Sequence, residues 1–388
     1  MRLAKPLSLI TAAVIVLAGC GDGEDPQPGS DLENPAESPD GNAEGGLTPQ
    51  PSRDRDEPVS AGSDFADPQT VLAGNLAVPW GIAFLPNGDA LIAERTTARI
   101  LRLDASGGEP EEAMTVPGVD TDAGEGGLLG LAVSPRYERD GLVFAYLTSA
   151  EDNRIVRFQL GEEPEPILTG IARSEIHNGG RIAFGPDGNL YAGVGDAANP
   201  AFAQDPGSLN GKILRLEPDG SIPKDNPLDG SHVYSLGHRN VQGLAWDSEE
   251  RLWATEFGQD AFDEVNLIEP GQNYGWPQVE GEDETASSEF TNPQVTWATS
   301  ESSPSGAAIV DGDLYVAALV GERLWRVPLD GDTAGEPESF LDGEYGRIRT
   351  AVKAPDGSLW IATSNTDGRG APAEDDDRIV RLEPPTGG

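Results

Sequence analysis

The sequence predicts an all-β protein, a six-bladed β-propeller of four-stranded antiparallel blades. Three observations favour this fold. The chain of 388 residues contains 49 Gly and 32 Pro, one short pattern recurs six times, and the copies are followed by turns such as Pro-Asp-Gly and by strand-like runs. Frequent Gly and Pro disfavour a helical bundle, and short strands repeated every few tens of residues are typical of propeller blades. We therefore expect little helix.

The recurring pattern places a small or β-branched anchor at the third position of a short strand, as in Gly-Ile-Ala-Phe-Leu-Pro at 81–86. Successive anchors are 49, 51, 62, 63 and 44 residues apart. The anchors are Ala83, Ala132, Ala183, Ala245, Ala308 and Val352. A pair of β-sandwiches, the competing architecture, would not predict so regular a repeat.

Each copy is predicted to end in a final strand, and these strands resemble one another. Arg-Ile-Leu-Arg-Leu at 99–103 and Arg-Ile-Val-Arg-Leu at 378–382 are examples. A propeller must also hide the edges of its first and last sheets. Residues 71–78 are expected to supply a strand that closes the ring with the last blade.

The N-terminal residues 1–20 resemble a bacterial lipoprotein signal, since a basic start precedes a short apolar run that ends in Leu-Ala-Gly-Cys. This apolar run is shorter than a transmembrane helix normally requires. The resemblance makes Cys20, the only cysteine, the site of diacylglyceryl attachment, and an ordinary cleaved signal is the alternative. We therefore expect an extracytoplasmic protein, lipid-anchored to a bacterial membrane.

Residues 21–63 contain eleven Asp or Glu and almost no large apolar side chain. Such a segment cannot bury enough apolar surface to offset the entropy lost on ordering, which predicts a disordered tether. The propeller domain is then expected to occupy residues 64–388.

The formal net charge is −41, from 67 acidic and 26 basic residues. Nucleic acids and anionic membranes require clustered Lys and Arg, so this balance excludes a general binder of either. The acidic surface does not itself name a partner. It does make each of the few basic residues informative.

Ionisable residues stand just before the anchors of four predicted blades: Glu125, His177, Arg239 and the pair Arg347 and Arg349. Loops at one end of a propeller converge on the central channel. Residues far apart in the sequence are therefore predicted to form one site.

His177 and Asp196, nineteen residues apart, are the candidates for general-base chemistry. Histidine titrates near neutral pH, and a carboxylate on its second ring nitrogen fixes the tautomer. The alternative is a structural histidine whose ring only forms hydrogen bonds within a polar turn. Adjacent side chains point to opposite faces of a strand, so we expect Arg239 rather than His238 to face the channel. His232 is expected to be a solvated loop residue.

Arg347 and Arg349 are one residue apart and would lie on the same face of a strand. Two guanidiniums side by side favour a carboxylate or phosphate ligand, and ion pairs with the abundant acidic residues are the alternative. The segment 256–264 is acidic enough for a hard cation such as Ca²⁺, although its spacing is not that of an EF-hand.

Taken in order, the motifs His-Asn-Gly-Gly-Arg at 177–181, Gly-His-Arg-Asn at 237–240, Asn-Tyr-Gly-Trp-Pro at 273–277 and Gly-Arg-Ile-Arg at 346–349 resemble one family. It is that of the soluble PQQ-dependent aldose sugar dehydrogenases, within the glucose/sorbosone dehydrogenases, and the resemblance covers residues 70–384. It implies a six-bladed propeller that holds pyrroloquinoline quinone (PQQ) and Ca²⁺. The reaction would be oxidation of the anomeric hydroxyl of an aldose sugar to a lactone. The electron acceptor is unknown, and a monomer and a dimer are both open.

The resemblance also implies roles for individual residues. His177 would take the hydroxyl proton, Asp196 would orient His177, and Arg239 would stabilise the developing oxyanion while hydride passes to the quinone. Four residues would contact the quinone, with the two arginines pairing its carboxylates: Glu125, Asn240, Arg347 and Arg349.

For the metal, the resemblance implies Ca²⁺ ligation by the backbone carbonyls of Gly258 and Gln259. Glu264 and the carbonyl of Tyr274 would ligate a second, structural Ca²⁺. Val320 departs from the family pattern, because relatives carry a basic residue there, and Arg323 is a candidate replacement.

Two other functions stay open from the sequence. One is a propeller that binds carbohydrate or protein without redox chemistry, since a fold does not fix a function. The other is a metal-dependent sugar lactonase, which predicts a cluster of carboxylate ligands in the channel.

Overall fold

The structure, a computed structural model, describes residues 69–282 and 289–384. The predicted signal peptide (1–20), the predicted tether (21–63) and the predicted start of the propeller domain at residue 64 lie outside the described residues. Two four-residue helices occur in the described part, α1 (Tyr137–Asp140) and α2 (Ala201–Gln204). No helix in this part is long and apolar enough to cross a membrane.

Strands make up nearly all of the regular structure, as predicted. Those in the first half are β1 (Thr70–Ala73), β2 (Pro79–Phe84), β3 (Ala90–Glu94), β4 (Arg99–Leu103), β5 (Glu111–Thr115), β6 (Leu128–Val133), β7 (Leu142–Thr148), β8 (Asn153–Gln159), β9 (Glu165–Ile171), β10 (Ile182–Phe184), β11 (Leu190–Val194), β12 (Lys212–Leu216) and β13 (Val233–Leu236). Those in the second half are β14 (Val241–Trp246), β15 (Leu252–Glu256), β16 (Phe262–Ile268), β17 (Val295–Ala298), β18 (Pro304–Val310), β19 (Asp313–Ala318), β20 (Arg323–Asp330), β21 (Thr333–Ala334), β22 (Glu338–Phe340), β23 (Ile348–Lys353), β24 (Leu359–Thr363) and β25 (Ile379–Leu382).

The strands form six antiparallel sheets, which are the blades of a β-propeller. Five sheets have the order first, second, third and fourth strand from the inside outwards, and in the fifth blade β21 and β22 both pair with β20. β1 pairs with β25, with Val71 opposite Val380, so an N-terminal strand completes the last blade. This confirms the predicted closure, with a strand at Thr70–Ala73.

The strands predicted to be final are instead the third strands of their blades, so this prediction was wrong. β4 is followed by β5, whose Thr115 lies opposite Arg99. β5 has the sequence Glu-Glu-Ala-Met-Thr and is largely exposed. An outer strand with little buried surface needs no apolar alternation, and the sequence pattern therefore gave no sign of it.

The anchors lie on the first strands, which pack against one another around the central channel. β2 contacts both β6 and β23, which closes the ring. Glycines two positions before the anchors permit this approach. A Cβ atom on Gly81 would stand 2.5 Å from the carbonyl oxygen of Leu129, and one on Gly130 would stand 2.2 Å from that of Gly180. This spacing leaves no room for a side chain at the four copies that carry Gly here, whereas the third and sixth copies carry Arg181 and Thr350.

A buried arginine links blades across the channel. Arg181 Nε donates to the carbonyl oxygen of Gln242 at 2.8 Å, and its Nη2 donates to Thr350 Oγ1 at 3.2 Å. The guanidinium lies 4.3 Å from the ring centre of Trp80. Residues of the first strands of all six blades also line a channel cavity of about 250 Å³. Arg181 thus joins the first, third, fourth and sixth blades.

Candidate active site

A cavity of about 360 Å³ at the centre of the ring collects most of the predicted site residues. Five blades contribute to it through loops that precede first strands or follow second strands. The predicted residues in its lining are Glu125, His177, Arg239, Gly258, Gln259 and Arg347. The predicted convergence of distant residues on one site is therefore observed.

His177 precedes β10 and is buried beside this cavity. Its ring nitrogen Nδ1 lies 2.8 Å from Asp196 Oδ1. Asp196 is fully buried, and its second oxygen accepts a hydrogen bond of 2.9 Å from Trp276 Nε1. A Cβ atom on Gly195 would stand 2.0 Å from the carbonyl oxygen of His177, so the glycine allows the two loops to meet. With a proton on Nδ1 facing the carboxylate, Nε2 is the free base nitrogen.

Arg239, not His238, lines the cavity, as predicted. Its Nη1 donates to the carbonyl oxygen of Phe257 at 3.2 Å, and its guanidinium lies 5.6 Å from the ring centre of Trp276. Burial lowers the pKa of Arg239, and Asp196 acts in the opposite direction. Arg239 therefore places a positive charge beside the His177–Asp196 pair.

The other two histidines lie away from the cavity lining. His238 is fully buried between Ser235 Oγ at 2.8 Å and Glu256 Oε2 at 3.1 Å, and burial lowers its pKa to about 3. His232 precedes β13 and is half-buried, with Nε2 3.0 Å from the carbonyl oxygen of Gly220. His232 is thus bound to its own blade rather than fully solvated as predicted.

Arg347 and Arg349 are both buried and share one carboxylate. Arg347 Nη2 lies 3.3 Å and Arg349 Nη2 lies 3.6 Å from Asp367 Oδ2. Burial, together with the neighbouring Arg95, lowers the pKa of Arg349 to about 9. The predicted ion-pair alternative is therefore partly observed, although one carboxylate serves two guanidiniums.

Two further arginines belong to this group. Arg95 is buried after β3, interacts electrostatically with Asp367, Glu125, Arg369 and Arg347, and its pKa is lowered by burial. Arg369 Nη1 donates to Glu125 Oε1 at 2.8 Å.

The four guanidiniums thus face two carboxylates, which leaves two positive charges without a carboxylate partner. The Nε atoms of Arg95 and Arg349 are buried and have no hydrogen-bond partner among the described residues. Unpaired buried donors are costly, and the cluster is therefore suited to an anion with several acceptor groups.

Asn240 is fully buried beside Arg239 in the sequence. Its Oδ1 accepts a hydrogen bond of 3.0 Å from the amide of Gly179, and its Nδ2 has no partner among the described residues. Asn240 thus ties the fourth blade to the His177 loop and has one donor left for a ligand.

Gly258 and Gln259 follow β15 and line the cavity together with Asp263. Among the described residues, neither carbonyl oxygen accepts a hydrogen bond. The pKa of Asp263 is raised by burial to about 6. Glu280 Oε1 accepts hydrogen bonds from four successive amides, those of residues 259–262. Free carbonyls held in a fixed loop are oxygen donors of the kind that Ca²⁺ takes.

Glu264 lies opposite Glu256 on neighbouring strands and is not among the residues that line the cavity. Its oxygens accept hydrogen bonds from Gly281 N at 2.7 Å and Asn266 Nδ2 at 3.0 Å. Burial and the neighbouring Glu256 raise the pKa of Glu264 well above its usual range, and burial raises that of Glu256 to about 7. Asn266 Oδ1 is buried without a partner among the described residues. These oxygens would be stabilised by a cation.

Tyr274, the other residue predicted at this second metal, is buried close by. Its hydroxyl donates to the carbonyl oxygen of Leu267 at 2.7 Å, and its ring stacks on His238 at 4.7 Å. The described residues contain no group of three or more His, Cys, Asp or Glu side chains that could hold a metal ion.

Val320 lines the cavity and is 49% exposed. Arg323, its candidate replacement, is not part of the lining. Arg323 Nε instead lies 3.3 Å from Asp342, and its guanidinium lies over Trp325. Arg323 therefore does not supply the positive charge that Val320 lacks.

Comparison with known proteins identifies the family. The model of the glucose/sorbosone dehydrogenase family matches residues 76–374. The chain belongs to this family. The resemblance found in its motifs is thereby confirmed, and the chain is placed among oxidoreductases.

Solved structures and relatives extend this result. The PQQ-bound aldose sugar dehydrogenase of Streptomyces coelicolor is 52% identical, with a TM-score of 0.77 over 81% of this chain and 98% of that one. The aldose sugar dehydrogenase YliI of Escherichia coli is 27% identical over 77% of this chain and 90% of its own length. Quinoprotein glucose dehydrogenase B of Acinetobacter calcoaceticus is 34% identical over 58% of this chain and 55% of its own length.

Sequence reasoning missed three site residues of this dehydrogenase: Arg95, Asp367 and Arg369. All three follow the second strand of a blade. In an antiparallel blade, the end of the second strand lies at the same edge as the start of the first. A search of the residues after each second strand, as well as those before each first strand, would have found them.

Proposed function

We propose that this protein is a PQQ- and Ca²⁺-dependent dehydrogenase that oxidises the anomeric hydroxyl of aldose sugars to lactones. The observation that carries the proposal is the cluster of four arginines next to the His177–Asp196 pair. A base and an anion-binding cluster share one cavity, and the family and its named relatives favour this chemistry.

The residues of the cluster fit PQQ, which is a tricarboxylate. Two uncompensated positive charges and the unpaired Nε atoms of Arg95 and Arg349 are matched by carboxylate oxygens. Arg347, Arg349 and Asn240 would hold the cofactor, with Glu125 at the cavity wall. When bound, PQQ would supply the hydride acceptor, because the side chains that line this cavity cannot accept a hydride.

His177 performs the proton transfer in this proposal. Asp196 holds a proton on Nδ1, so Nε2 accepts the proton of the anomeric hydroxyl. The two hydrogen bonds from Trp276 and Ala198 keep Asp196 in place. Loss of this proton makes the sugar carbon a better hydride donor.

Arg239 faces the same cavity and stabilises the negative charge that develops on the sugar oxygen. Its guanidinium is held by the carbonyl oxygen of Phe257 and by Gln259, so it is oriented before the substrate arrives. Donors that are already oriented in a partly buried site stabilise a developing negative charge more than solvated donors do.

Ca²⁺ would bind to the carbonyl oxygens of Gly258 and Gln259, with Asp263 nearby. A second Ca²⁺ would be held at Glu264 with the carbonyl of Tyr274, where the carboxyls of Glu256 and Glu264 are buried side by side. The first ion would neutralise charge near the cofactor, and the second would stabilise the fold.

The proposal is tested by incubating the purified full-length protein with PQQ and Ca²⁺ and following dye reduction with a panel of aldoses. We expect reduction that requires PQQ and an aldose. His177→Ala should bind PQQ but lose turnover, and His232→Ala is the matched control. Binding of sugar without any dye reduction would favour the non-redox alternative. Release of a hydroxy acid from sugar lactones without PQQ would favour the lactonase.

We also propose that Cys20 carries a lipid and that the domain acts outside the cytoplasm. The support is the lipoprotein-like signal at residues 1–20. Cys20→Ser should move the protein from the membrane fraction to the soluble fraction. An unchanged membrane fraction would exclude this anchor.

A further inference from the structure

Arg369 and Glu125 form an ion pair between the last and the second blade. Arg369 lies in the loop between β24 and β25, and its Nη1 is 2.8 Å from Glu125 Oε1. The residues are 244 positions apart, and both line the cavity that holds His177. The Arg369 side chain is 54% exposed and that of Glu125 is 17% exposed. The pair therefore closes part of the cavity wall.

The second oxygen of the same carboxylate holds the backbone of His177. Glu125 Oε2 accepts a hydrogen bond of 3.0 Å from the His177 amide. His177 has a φ of 58°, in the left-handed region that few non-glycine residues adopt. Such a conformation persists only when neighbouring groups fix it. Glu125 fixes the amide, and the amide of Ala197 donates to the His177 carbonyl oxygen at 3.1 Å.

The loops that carry Glu125 and His177 are pinned together by their backbones as well. The amide of Glu125 donates to the carbonyl oxygen of Glu175 at 2.9 Å. Burial acts to raise the pKa of Glu125, but the hydrogen bonds from Arg369 and the His177 amide outweigh it, so the net pKa is below its usual value. Arg369 thus keeps Glu125 charged and fixes its orientation.

We infer that Arg369 is a positioning residue, which acts through Glu125 to hold the backbone of His177 where its ring can serve as the base. This inference rests on the proposed function. It assigns to Arg369 neither contact with the sugar nor contact with PQQ. It also explains why residue 125 is charged. An uncharged side chain there would lose the ion pair with Arg369 and would hold the His177 amide less firmly.

The test exploits the presence of only three histidines in the chain. Full-length protein is labelled with ¹⁵N-histidine, and the amide and ring signals of His177 are followed without cofactor, with His232 and His238 as internal references. Arg369→Gln and Glu125→Gln should shift the His177 amide signal and leave the two references in place. Arg369→Lys should keep most of the wild-type position. Arg326→Gln, which breaks an ion pair with Asp313 outside the cavity lining, is the control.

Kinetics and binding complete the test. When saturated with PQQ, Arg369→Gln should lower kcat by about tenfold, as expected for a misplaced catalytic group, with unchanged KM for the aldose. A raised KM or a weakened PQQ affinity at unchanged kcat would overturn the positioning role. An unmoved His177 amide would overturn it too. Wild-type protein that lacks PQQ-dependent turnover would contradict the proposed function instead, and the cofactor-free spectra would still test the inference.

Discussion

Trp276 Nε1 donates a hydrogen bond of 2.9 Å to Asp196 Oδ2, so a tryptophan of the fourth blade holds the carboxylate that orients His177 in the third. Trp276→Phe removes this N–H and keeps an aromatic ring under Arg239. We expect kcat to fall by about tenfold, since a lost hydrogen bond to a charged group is worth roughly 1.5–3 kcal/mol. The melting temperature should also fall by a few degrees, so kcat is compared at a temperature well below it. An unchanged kcat would mean that Asp196 does not depend on Trp276.

Val320 places an apolar side chain in a cavity that otherwise concentrates positive charge. Val320→Lys should tighten PQQ binding by about tenfold, because a further charge-assisted hydrogen bond becomes available to a carboxylate. Titration of the cofactor, followed by its absorbance, measures the affinity. Val320→Met adds length without charge and should leave the affinity unchanged. Equal affinities in the lysine variant and the wild type would show that position 320 does not face the cofactor.

Arg181 is predicted to stabilise the ring rather than the chemistry. Arg181→Ala removes the contact with Trp80 and the donors to Gln242 and Thr350. The free energy of unfolding should fall by about 2–4 kcal/mol, given the size of desolvated cation–π contacts and of unpaired buried acceptors. Denaturant unfolding measures this loss. Arg326→Ala, at a partly exposed ion pair, should cost less than about 1 kcal/mol.

The buried pair of Glu256 and Glu264 predicts a pH dependence of stability that Ca²⁺ should weaken. In the metal-free protein the pKa of both carboxyls is raised, that of Glu256 to about 7. The folded state therefore holds protons that the unfolded state has released, and stability falls as the pH rises from the unfolded pKa of about 4.3 through about 7. Ca²⁺ favours the ionised forms, so it should raise the melting temperature more at pH 8 than at pH 5.

Glu264→Gln is the matched variant for this pair, because it keeps the shape and removes one ionisable group. It should show a smaller loss of stability between pH 5 and pH 8 in the presence of a chelator, and a smaller gain on addition of Ca²⁺. An equal response of variant and wild type to Ca²⁺ would place the stabilising ion elsewhere.

The inner part of the propeller could be predicted from the sequence, and the outer part could not. First strands such as β2 and β6 pack tightly around the channel, so glycine recurs two positions before the anchor in four of the six copies and helps to reveal the repeat. Outer strands such as β5 and β9 are largely exposed and accept almost any side chain. Their number and position depend on backbone pairing with the third strand. Such pairing does not impose a recognisable amino-acid pattern on the outer strand.

The site divides in a similar way. His177, Asp196 and Arg239 could be identified because histidine is scarce and because ionisable residues stand at repeated positions before the anchors. The partners of Arg347 and Arg349 could not, because an acidic chain offers many carboxylates and only the folded loop shows that Asp367 is the one in reach. Which buried donors stay unpaired is likewise a property of packing, as with the Nε of Arg95.

The central claim is that His177 removes the proton from an aldose that reduces PQQ in this cavity. It is tested most directly by a single-turnover experiment without dye, in which aldose is mixed with protein loaded with PQQ and Ca²⁺ and the quinone absorbance is followed. Wild-type protein should reduce the quinone, and His177→Ala should bind the same amount of PQQ but reduce it at least about 100-fold more slowly, as general-base catalysis predicts. Reduction at the same rate in both proteins, or in neither, would contradict the claim.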